Sequence, residues 1–282
     1  MPNHRFDPGY GLAPWTGLVA DYPGDDVYDK DAFRVEWGPI FHRGRLDGSA
    51  RVLVIGQDPA AHEAACRRIL VGEAGQRLQG LLARLGIDRS YVLLNTYLYS
   101  VFGQSAGEHF IDNAAITAYR NRWIDAVMTT SHIEAVITLG HLAESAYKQW
   151  KPSPGGGAAP PHRVVHVLHP TFPESSSARV PAGQKAAKLA EAMKRLSDSW
   201  NTALDVLDAK VMPDQSRPLA HYGVALTPTD DAPIPEEDLP AGLPAWMRSV
   251  DAWAARTGLT AQEKRASITT TIPAHARAWT SV

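Results

Sequence analysis

Four short apolar segments, separated by helical patterns, constrain the fold of this chain most. They span residues 52–55, 91–94, 135–139 and 163–168, and an amphipathic stretch lies in each interval between them. Short continuous apolar runs that alternate with helices are typical of a parallel sheet covered by helices on both faces. The sequence therefore predicts an α/β fold with three α/β/α layers around a central, roughly four-stranded parallel sheet.

Three of these segments end on polar side chains that are capable of chemistry. Asp58 follows the first segment, Asn95 ends the second, and His169 follows the fourth. The carboxyl ends of parallel strands meet at one edge of a sheet, where open α/β folds build their sites. We therefore expect Asp58, Asn95 and His169 to lie around a single pocket.

The chain divides into three regions by composition. Residues 1–30 are rich in Pro, Gly and Asp and predict an extended arm, whereas residues 31–202 contain the predicted α/β/α domain. Residues 203–282 are rich in Pro and Asp and predict an extension that packs on the core through its tryptophans. An amphipathic pattern over residues 246–253 predicts one helix within that extension.

Charge and cysteine content narrow the possible partners and compartment. The 282 residues carry a net charge of −2, but residues 31–198 carry +4 and each flanking segment carries −3. A mildly basic core permits contact with phosphate groups without demanding it. The only cysteine, Cys66, excludes an intrachain disulfide and a four-cysteine metal or cluster site. The chain has no run of about 18 apolar residues, so we expect no membrane-spanning helix.

Three strand-end motifs resemble those of a known enzyme family. Residues 56–59 read Gly-Gln-Asp-Pro, residues 94–96 read Leu-Asn-Thr, and residues 169–171 read His-Pro-Thr. In order and position they are similar to motifs of the best-known branch of the uracil-DNA glycosylase superfamily. The joint match is far more specific than any one tetrapeptide.

Two further segments resemble a different branch of the same superfamily. Residues 70–79 and residues 135–140 are similar to segments of the branch that carries an iron–sulfur cluster. This chain lacks the cluster cysteines of that branch. The resemblance, which extends over about residues 48–196, identifies a cluster-free relative of the iron–sulfur branch with a Gly-Gln-Asp-Pro first motif.

The resemblance implies an enzyme that acts on DNA. Such an enzyme flips deoxyuridine out of uracil-containing DNA, hydrolyses its N-glycosidic bond, releases free uracil and leaves an abasic site. The resemblance further implies no metal or organic cofactor, a monomer without membrane association, and a cytoplasmic location on the bacterial nucleoid. A first alternative is a superfamily member that binds uracil or abasic DNA with little turnover or by covalent capture, which Leu70 and Glu174 favour. A second is an enzyme of free nucleosides or nucleotides, which the near-neutral charge favours.

Each strand-end side chain has an expected role at the base. Asp58 faces the sugar, where a carboxylate stabilises developing positive charge and orients water. His169 donates from a neutral imidazole to the leaving uracil, and Asn95 reads its polar edge. A helix-capping Asp, a buried structural His and a turn-bonded Asn are the alternatives. The other residues expected to bind uracil are Gly56, Gln57, Pro59, Ala60 and Leu70.

Two of these uracil-binding positions depart from the family pattern. Ala60 stands where the best-known branch has a tyrosine that blocks the thymine methyl group. Leu70 stands where the iron–sulfur branch stacks a phenylalanine on the base. Thymine rejection and base stacking must therefore be supplied by other groups.

The same edge of the sheet is expected to contact the DNA backbone. Gly75, in a predicted glycine-rich turn over residues 72–75, would approach a phosphate with its backbone. Phe172 is expected to act as a wedge, in place of the family's leucine. A simple turn is the alternative for the glycines, and a solvated helix face is the alternative for the arginines. The remaining residues expected to bind DNA are Arg67, Arg68, Arg77, Thr171 and Ser175.

Overall fold

The computed structural model of the chain describes residues 10–102, 104–248, 253–258, 260, 263 and 267–277. The strands of its central sheet are β1 (His42–Gly44), β2 (Val52–Gly56), β3 (Tyr91–Asn95), β4 (Ala135–Leu139) and β5 (Arg163–Val167). Within the described residues the sheet has five strands in the order β1-β3-β2-β4-β5. Strands β2 to β5 pair in parallel, and β1 pairs with β3 in the antiparallel direction. The predicted three-layer α/β/α fold is confirmed, with β1 as an unpredicted antiparallel edge strand.

Helices cover both faces of this sheet. They are α1 (Trp15–Ala20), α2 (Ala61–Cys66), α3 (Glu73–Arg84), α4 (Gln104–Phe110), α5 (Ala114–Thr130), α6 (His141–Trp150), α7 (Pro154–Ala158), α8 (Phe172–Ser177) and α9 (Ala182–Leu207). Short 3-10 turns occur at Val35–Trp37, Pro228–Asp230, Glu236–Asp238, Ala245–Arg248 and Ala274–Ala276. Outside the central sheet, β6 (Ala254–Arg256) pairs antiparallel with β7 (Ile268–Thr270). In the described part of the chain, no helix has the length and apolar character that a membrane span requires.

Alternate side chains of β2 point into two different hydrophobic clusters. Val52 and Val54 pack with residues of α3 and α9 on one face. Leu53 and Ile55 pack with residues of α1, α5 and α6 on the other face. Because a central parallel strand is buried on both faces, its sequence is a continuous apolar run without alternation.

Helix α5 shows how local sequence produces one of these layers. The side chain of Asn113 accepts hydrogen bonds from the backbone N–H groups of Ala115 and Ile116, at 3.0 and 3.1 Å. These bonds satisfy two donors that an uncapped helix would leave free. The apolar residues Ile116, Trp123 and Val127 follow at helical spacing, and all three are buried in the core.

The stretch predicted to be an extended arm contains a helix. Residues 1–9 lie outside the described part of the chain, but α1 forms within the same stretch. Its residues Trp15 and Leu18 are buried, and the ring of Trp15 stacks on that of Trp123 at 5.5 Å. Burial of these apolar side chains favours a helix over an extended arm.

The predicted turn over residues 72–75 is the first turn of α3. Gly72 is the N-cap, the helix begins at Glu73, and Gly75 is buried inside it. A Cβ atom at Gly75 would overlap the backbone carbonyl of Leu70. Gly75 therefore permits close packing within the protein, which corrects the expectation that its backbone approaches a DNA phosphate.

The C-terminal extension lies against the core through apolar contacts, which include the buried Trp253, and through polar contacts. Asp214 accepts a hydrogen bond from the Arg51 guanidinium at 2.7 Å, and the N–H of Ala232 donates to the carbonyl of Gln76 at 3.1 Å. The helix predicted over residues 246–253 falls partly on residues outside the described ranges. A 3-10 turn spans Ala245–Arg248, the chain leads into β6 from residue 253, and residues 249–252 are outside the described ranges.

Candidate active site

The loop that follows β2 is held by the end of β3. Both the backbone N–H and the hydroxyl of Thr96 donate to the carbonyl of Gly56, at 2.9 and 2.8 Å. The N–H of Tyr97 donates to the carbonyl of Gln57 at 3.0 Å. These bonds fix the backbone immediately before Asp58, so its position is determined by the sheet.

The Asp58 carboxylate is held at both oxygens. Its Oδ2 accepts from the backbone N–H of Val101 at 2.9 Å, and its Oδ1 accepts from the side-chain amide of Gln57 at 3.1 Å. Burial raises the pKa of Asp58 to about 6, against the smaller lowering effect of these two hydrogen bonds. The group is therefore an oriented carboxylate that is ionised at neutral pH.

The imidazole of His169 has its hydrogen-bonding pattern set by Thr171. The backbone N–H of Thr171 donates to Nδ1 at 3.2 Å, so Nδ1 is an acceptor and the ring proton belongs to Nε2. The Thr171 hydroxyl also lies 3.0 Å from Nδ1. Burial lowers the pKa of His169 to about 4. The ring is thus neutral near pH 7, with Nε2–H as its donor.

Asp58 and His169 line one cavity of about 590 Å³ at the carboxyl edge of the sheet. This volume is in the range of small-molecule sites. Other lining residues that the sequence predicted as site residues are Gln57, Ala60, Leu70, Thr171, Phe172 and Ser175. Ionisable lining residues that the sequence analysis missed are Glu63, Glu108, His141, His166 and Arg256. Gly56 ends β2 and Pro59 directly follows Asp58, but neither is among the residues that line the cavity.

Asn95 lies at the same sheet edge but does not line this cavity. It pairs with Gly56 across the sheet, and its side-chain oxygen sits where a Cβ of Gly56 would be. Asn95 is 9% exposed, and neither its amide oxygen nor its amide nitrogen has a hydrogen-bond partner among the described residues. The structure therefore brings Asp58 and His169 to one cavity and leaves Asn95, buried at the same sheet edge, outside its lining. That all three meet around one base stays a prediction.

Leu70 lies beside the Asn95 amide. It lines the cavity and packs on Gly56, with its Cδ1 3.4 Å from the position that a Cβ there would take. Its backbone has φ +54°, a left-handed conformation that is uncommon for a branched side chain. The aliphatic side chain of Leu70 thus lines the cavity at the sequence position where the iron–sulfur branch has an aromatic ring.

Glu63 connects the loop of Asp58 with the loop of Leu70. Its Oε2 accepts from the N–H of Ala60 at 2.9 Å, and its Oε1 accepts from the N–H groups of Val71 and Gly72 at 2.9 and 3.2 Å. Glu63 is only 6% exposed. A Glu at the third position of a helix is a known capping signal, and this signal at α2 was available in the sequence.

Arg77 is an internal anchor. It is 5% exposed, and its guanidinium donates to both oxygens of Glu174 at 3.0 Å, to Glu73 at 2.6 Å and to the Pro170 carbonyl at 2.7 Å. This network holds α8 against α3 beside the His169 loop. Arg77 is therefore not an open phosphate ligand, and it neutralises the charge of the Glu174 carboxylate.

The other two predicted arginines are also engaged within the protein. The guanidinium of Arg67 donates to the backbone carbonyls of Trp37 and Pro39, both at 2.6 Å. The guanidinium of Arg68 donates to the carbonyl of Arg67 at 2.8 Å. Arg67 adopts φ +60° at the end of α2, so its role in closing that helix is structural.

The residues that follow His169 form a further part of the cavity wall. Thr171, Phe172 and Ser175 all line it, and α8 begins at Phe172. The Phe172 ring is half-buried, with the guanidinium of Arg195 4.9 Å from its centre. This cation–π contact covers the side chain that was expected to act as a DNA wedge.

The described residues contain no group of three or more His, Cys, Asp or Glu that could hold a metal ion. Cys66 is buried, and burial raises the pKa of its thiol to about 12. One buried thiol does not fit an iron–sulfur cluster, which takes four cysteine thiolates. We therefore derive no chemical step that passes through a cluster.

The fold, with an acid and a neutral imidazole at one sheet edge, defines a class of protein. A family model for the uracil DNA glycosylase superfamily matches residues 43–197, which is more than half of the chain. This chain belongs to the uracil-DNA glycosylase superfamily. Membership supports a DNA glycosylase type of function and a general role in DNA repair. No curated protein matches the chain significantly.

Proposed function

We propose that this protein is a monofunctional uracil-DNA glycosylase, a hydrolase of the N-glycosidic bond of deoxyuridine in DNA. One observation carries the proposal. Asp58 and His169 line the same cavity with complementary properties, an ionised carboxylate and a neutral N–H donor. Environments that separate two titratable groups in this way are typical of paired catalytic roles.

The two groups act on opposite ends of the bond that breaks. The electron pair of the bond between C1′ and N1 leaves with the base, so positive charge develops on the sugar and negative charge on uracil. The Asp58 carboxylate stabilises the sugar cation and orients a water molecule, whose oxygen bonds to C1′ and whose proton passes to the carboxylate. The Nε2–H of His169 donates a hydrogen bond to a uracil carbonyl oxygen and keeps its proton. Uracil leaves as an anion that solvent then protonates.

Asn95 provides the base-reading group in this proposal. Its buried amide can accept from the uracil N3–H and donate to the neighbouring carbonyl, whereas cytosine would leave a buried group unpaired. Leu70 contacts the same glycine that Asn95 covers and also lines the cavity. In this proposal the Leu70 side chain moves aside when the flipped base meets the amide.

Incubation with a uracil-containing oligonucleotide tests the activity. Treatment with hot alkali breaks DNA at abasic sites, so the proposed function predicts strand breaks at the uracil position. The same oligonucleotide with thymine or cytosine at that position is the matched substrate control. Intact strands at stoichiometric protein would refute the proposal.

The second candidate is a superfamily member that binds uracil or abasic DNA with little turnover. The position of Leu70 favours it, because an aliphatic side chain lies beside the amide that would read the base. The Glu174 carboxylate does not favour this second candidate, because it is paired with the Arg77 guanidinium. A denaturing gel separates the candidates: a stable DNA–protein adduct supports capture, and free abasic DNA supports turnover.

A further inference from the structure

We propose that Arg256, in the C-terminal extension, binds a DNA backbone phosphate at the mouth of the cavity beside the flipped nucleotide. This inference rests on the proposed function and extends the DNA-binding surface beyond the family-matched residues 43–197. Arg256 is the last residue of β6 and lines the same cavity as Asp58 and His169. Strand β6 is therefore part of the candidate site, although it is about 200 residues from Asp58 in the sequence.

The position of β6 is set by its packing on the helix that follows Asp58. The N–H of Ala254 donates to Nε2 of His62 at 3.3 Å, and the rings of Trp253 and His62 meet edge to face at 4.7 Å. Trp253 is 2% exposed and packs in a hydrophobic cluster with Cys66 and other residues of α2 and the extension. Because His62 belongs to α2, which begins three residues after Asp58, β6 is held beside the catalytic loop.

The charges around the cavity give Arg256 a specific role. Asp58, Glu63 and Glu108 contribute carboxylates to the lining, and Arg256 is the only arginine or lysine among the described lining residues. A polyanion that approaches this cavity meets acidic groups unless a cation compensates for them. Arg256 supplies that cation from an extension whose own net charge is −3.

Arg256 is also available for a ligand. Its side chain is exposed, and it makes no ion pair or hydrogen bond with another described residue. The arginines that the sequence suggested for phosphate contact are occupied, since Arg67 binds two backbone carbonyls and Arg77 pairs with Glu73 and Glu174. A guanidinium that lines the cavity and bonds to no other described residue can make a bidentate contact with a phosphate.

The test compares the full-length wild-type protein with Arg256→Glu and Arg256→Ala. Arg89→Glu is the matched control, because Arg89 is an exposed arginine just before the amino end of β3, at the opposite edge of the sheet. Binding is measured by fluorescence anisotropy over a series of salt concentrations. The probe is an oligonucleotide that carries a 2′-fluorinated, hydrolysis-resistant deoxyuridine. Unchanged thermal midpoints establish that all variants are folded.

We expect Arg256→Glu to raise the dissociation constant about tenfold at low salt and to reduce the salt slope by about 1, since one phosphate contact is lost. Arg256→Ala loses the same contact and reduces the salt slope by the same amount, but it raises the dissociation constant by less because it adds no negative charge, while Arg89→Glu matches the wild type.

The outcomes separate this inference from the proposed function. Equal effects of Arg256→Glu and Arg89→Glu on the dissociation constant and salt slope would overturn the phosphate contact, even if the wild type releases uracil. A wild type that releases no uracil refutes the proposed activity, while the binding comparison still decides the role of Arg256. A wild type that does not bind the probe refutes both.

Discussion

The guanidinium of Arg43 lies 2.7 Å from the carboxylate of Asp238, which is 195 residues further along the chain, and both side chains are buried. The Tyr91 hydroxyl also donates to Asp238, and Nε of Arg43 donates to the carbonyl of Ile69 at 3.1 Å. Ile69 immediately precedes Leu70. The ion pair thus joins the C-terminal extension to the loop that forms one wall of the cavity.

Asp238→Ala is expected to destabilise the protein by about 3–5 kcal/mol, because it leaves the Arg43 charge buried without its partner. Urea unfolding measures the change. Asp198→Ala is the control, since it removes an exposed ion pair with Lys194 and should cost less than about 1 kcal/mol. Equal losses in the two variants would contradict a structural role for the buried pair.

Asp58→Asn is expected to slow uracil excision by about 10²–10⁴-fold and to stabilise the fold at pH 7. The first effect follows from loss of the carboxylate that orients water. The second follows because the pKa of Asp58 is about 6 when folded, above the ordinary aspartate value of 3.8, so the ionised group opposes folding. We expect a gain of about 1–3 kcal/mol in the free energy of unfolding. A variant that is less stable than the wild type at pH 7 would show that the ionised Asp58 carboxylate does not lower the free energy of unfolding.

The excision rate is expected to rise with pH through a single ionisation near pH 6 and then to level off. Asp58 must be ionised to act, and its pKa is raised to about 6. The pKa of His169 is lowered to about 4, so its ring stays neutral over this pH range. Ionisation of His169 therefore causes no second change in the excision rate near pH 7. Single-turnover rates on a uracil oligonucleotide measure the profile. A rate independent of pH between about 5 and 7 would exclude the proposed role of Asp58.

Glu63→Ala is expected to lower the excision rate about tenfold or more, whereas Glu63→Gln retains most of it. Glutamine keeps an oxygen that accepts from the backbone donors of Ala60 or Val71, and alanine leaves them unpaired. Single-turnover rates of both variants measure the difference, with Glu191→Ala on the exposed face of α9 as the control. Identical rates for the two substitutions at position 63 would argue against a positioning role for its hydrogen bonds.

Local patterns were sufficient to predict the parallel strands of the sheet and two candidate site residues at its edge. The apolar runs of β2, β3 and β4 are continuous because these strands are buried on both faces, whereas the edge strand β5 buries only Val165 and Val167. Parallel pairing then brings the carboxyl ends of β2 and β5 to one edge, and with them Asp58 and His169. The three-residue strands β1, β6 and β7 are too short to show a period, so the sequence provided no signal for them.

The sequence by itself determined the α/β/α fold, the order of its parallel strands along the chain, and the edge at which an acid and an imidazole meet. Only the tertiary structure decided that Arg77 pairs inside the protein, that the Asn95 amide lies outside the cavity lining, and that Arg256 reaches the cavity from the extension. The physical reason is the range of the interactions. Strands and helices follow from the periodicity of nearby residues, whereas the partner and exposure of a side chain depend on residues that folding brings from distant parts of the chain.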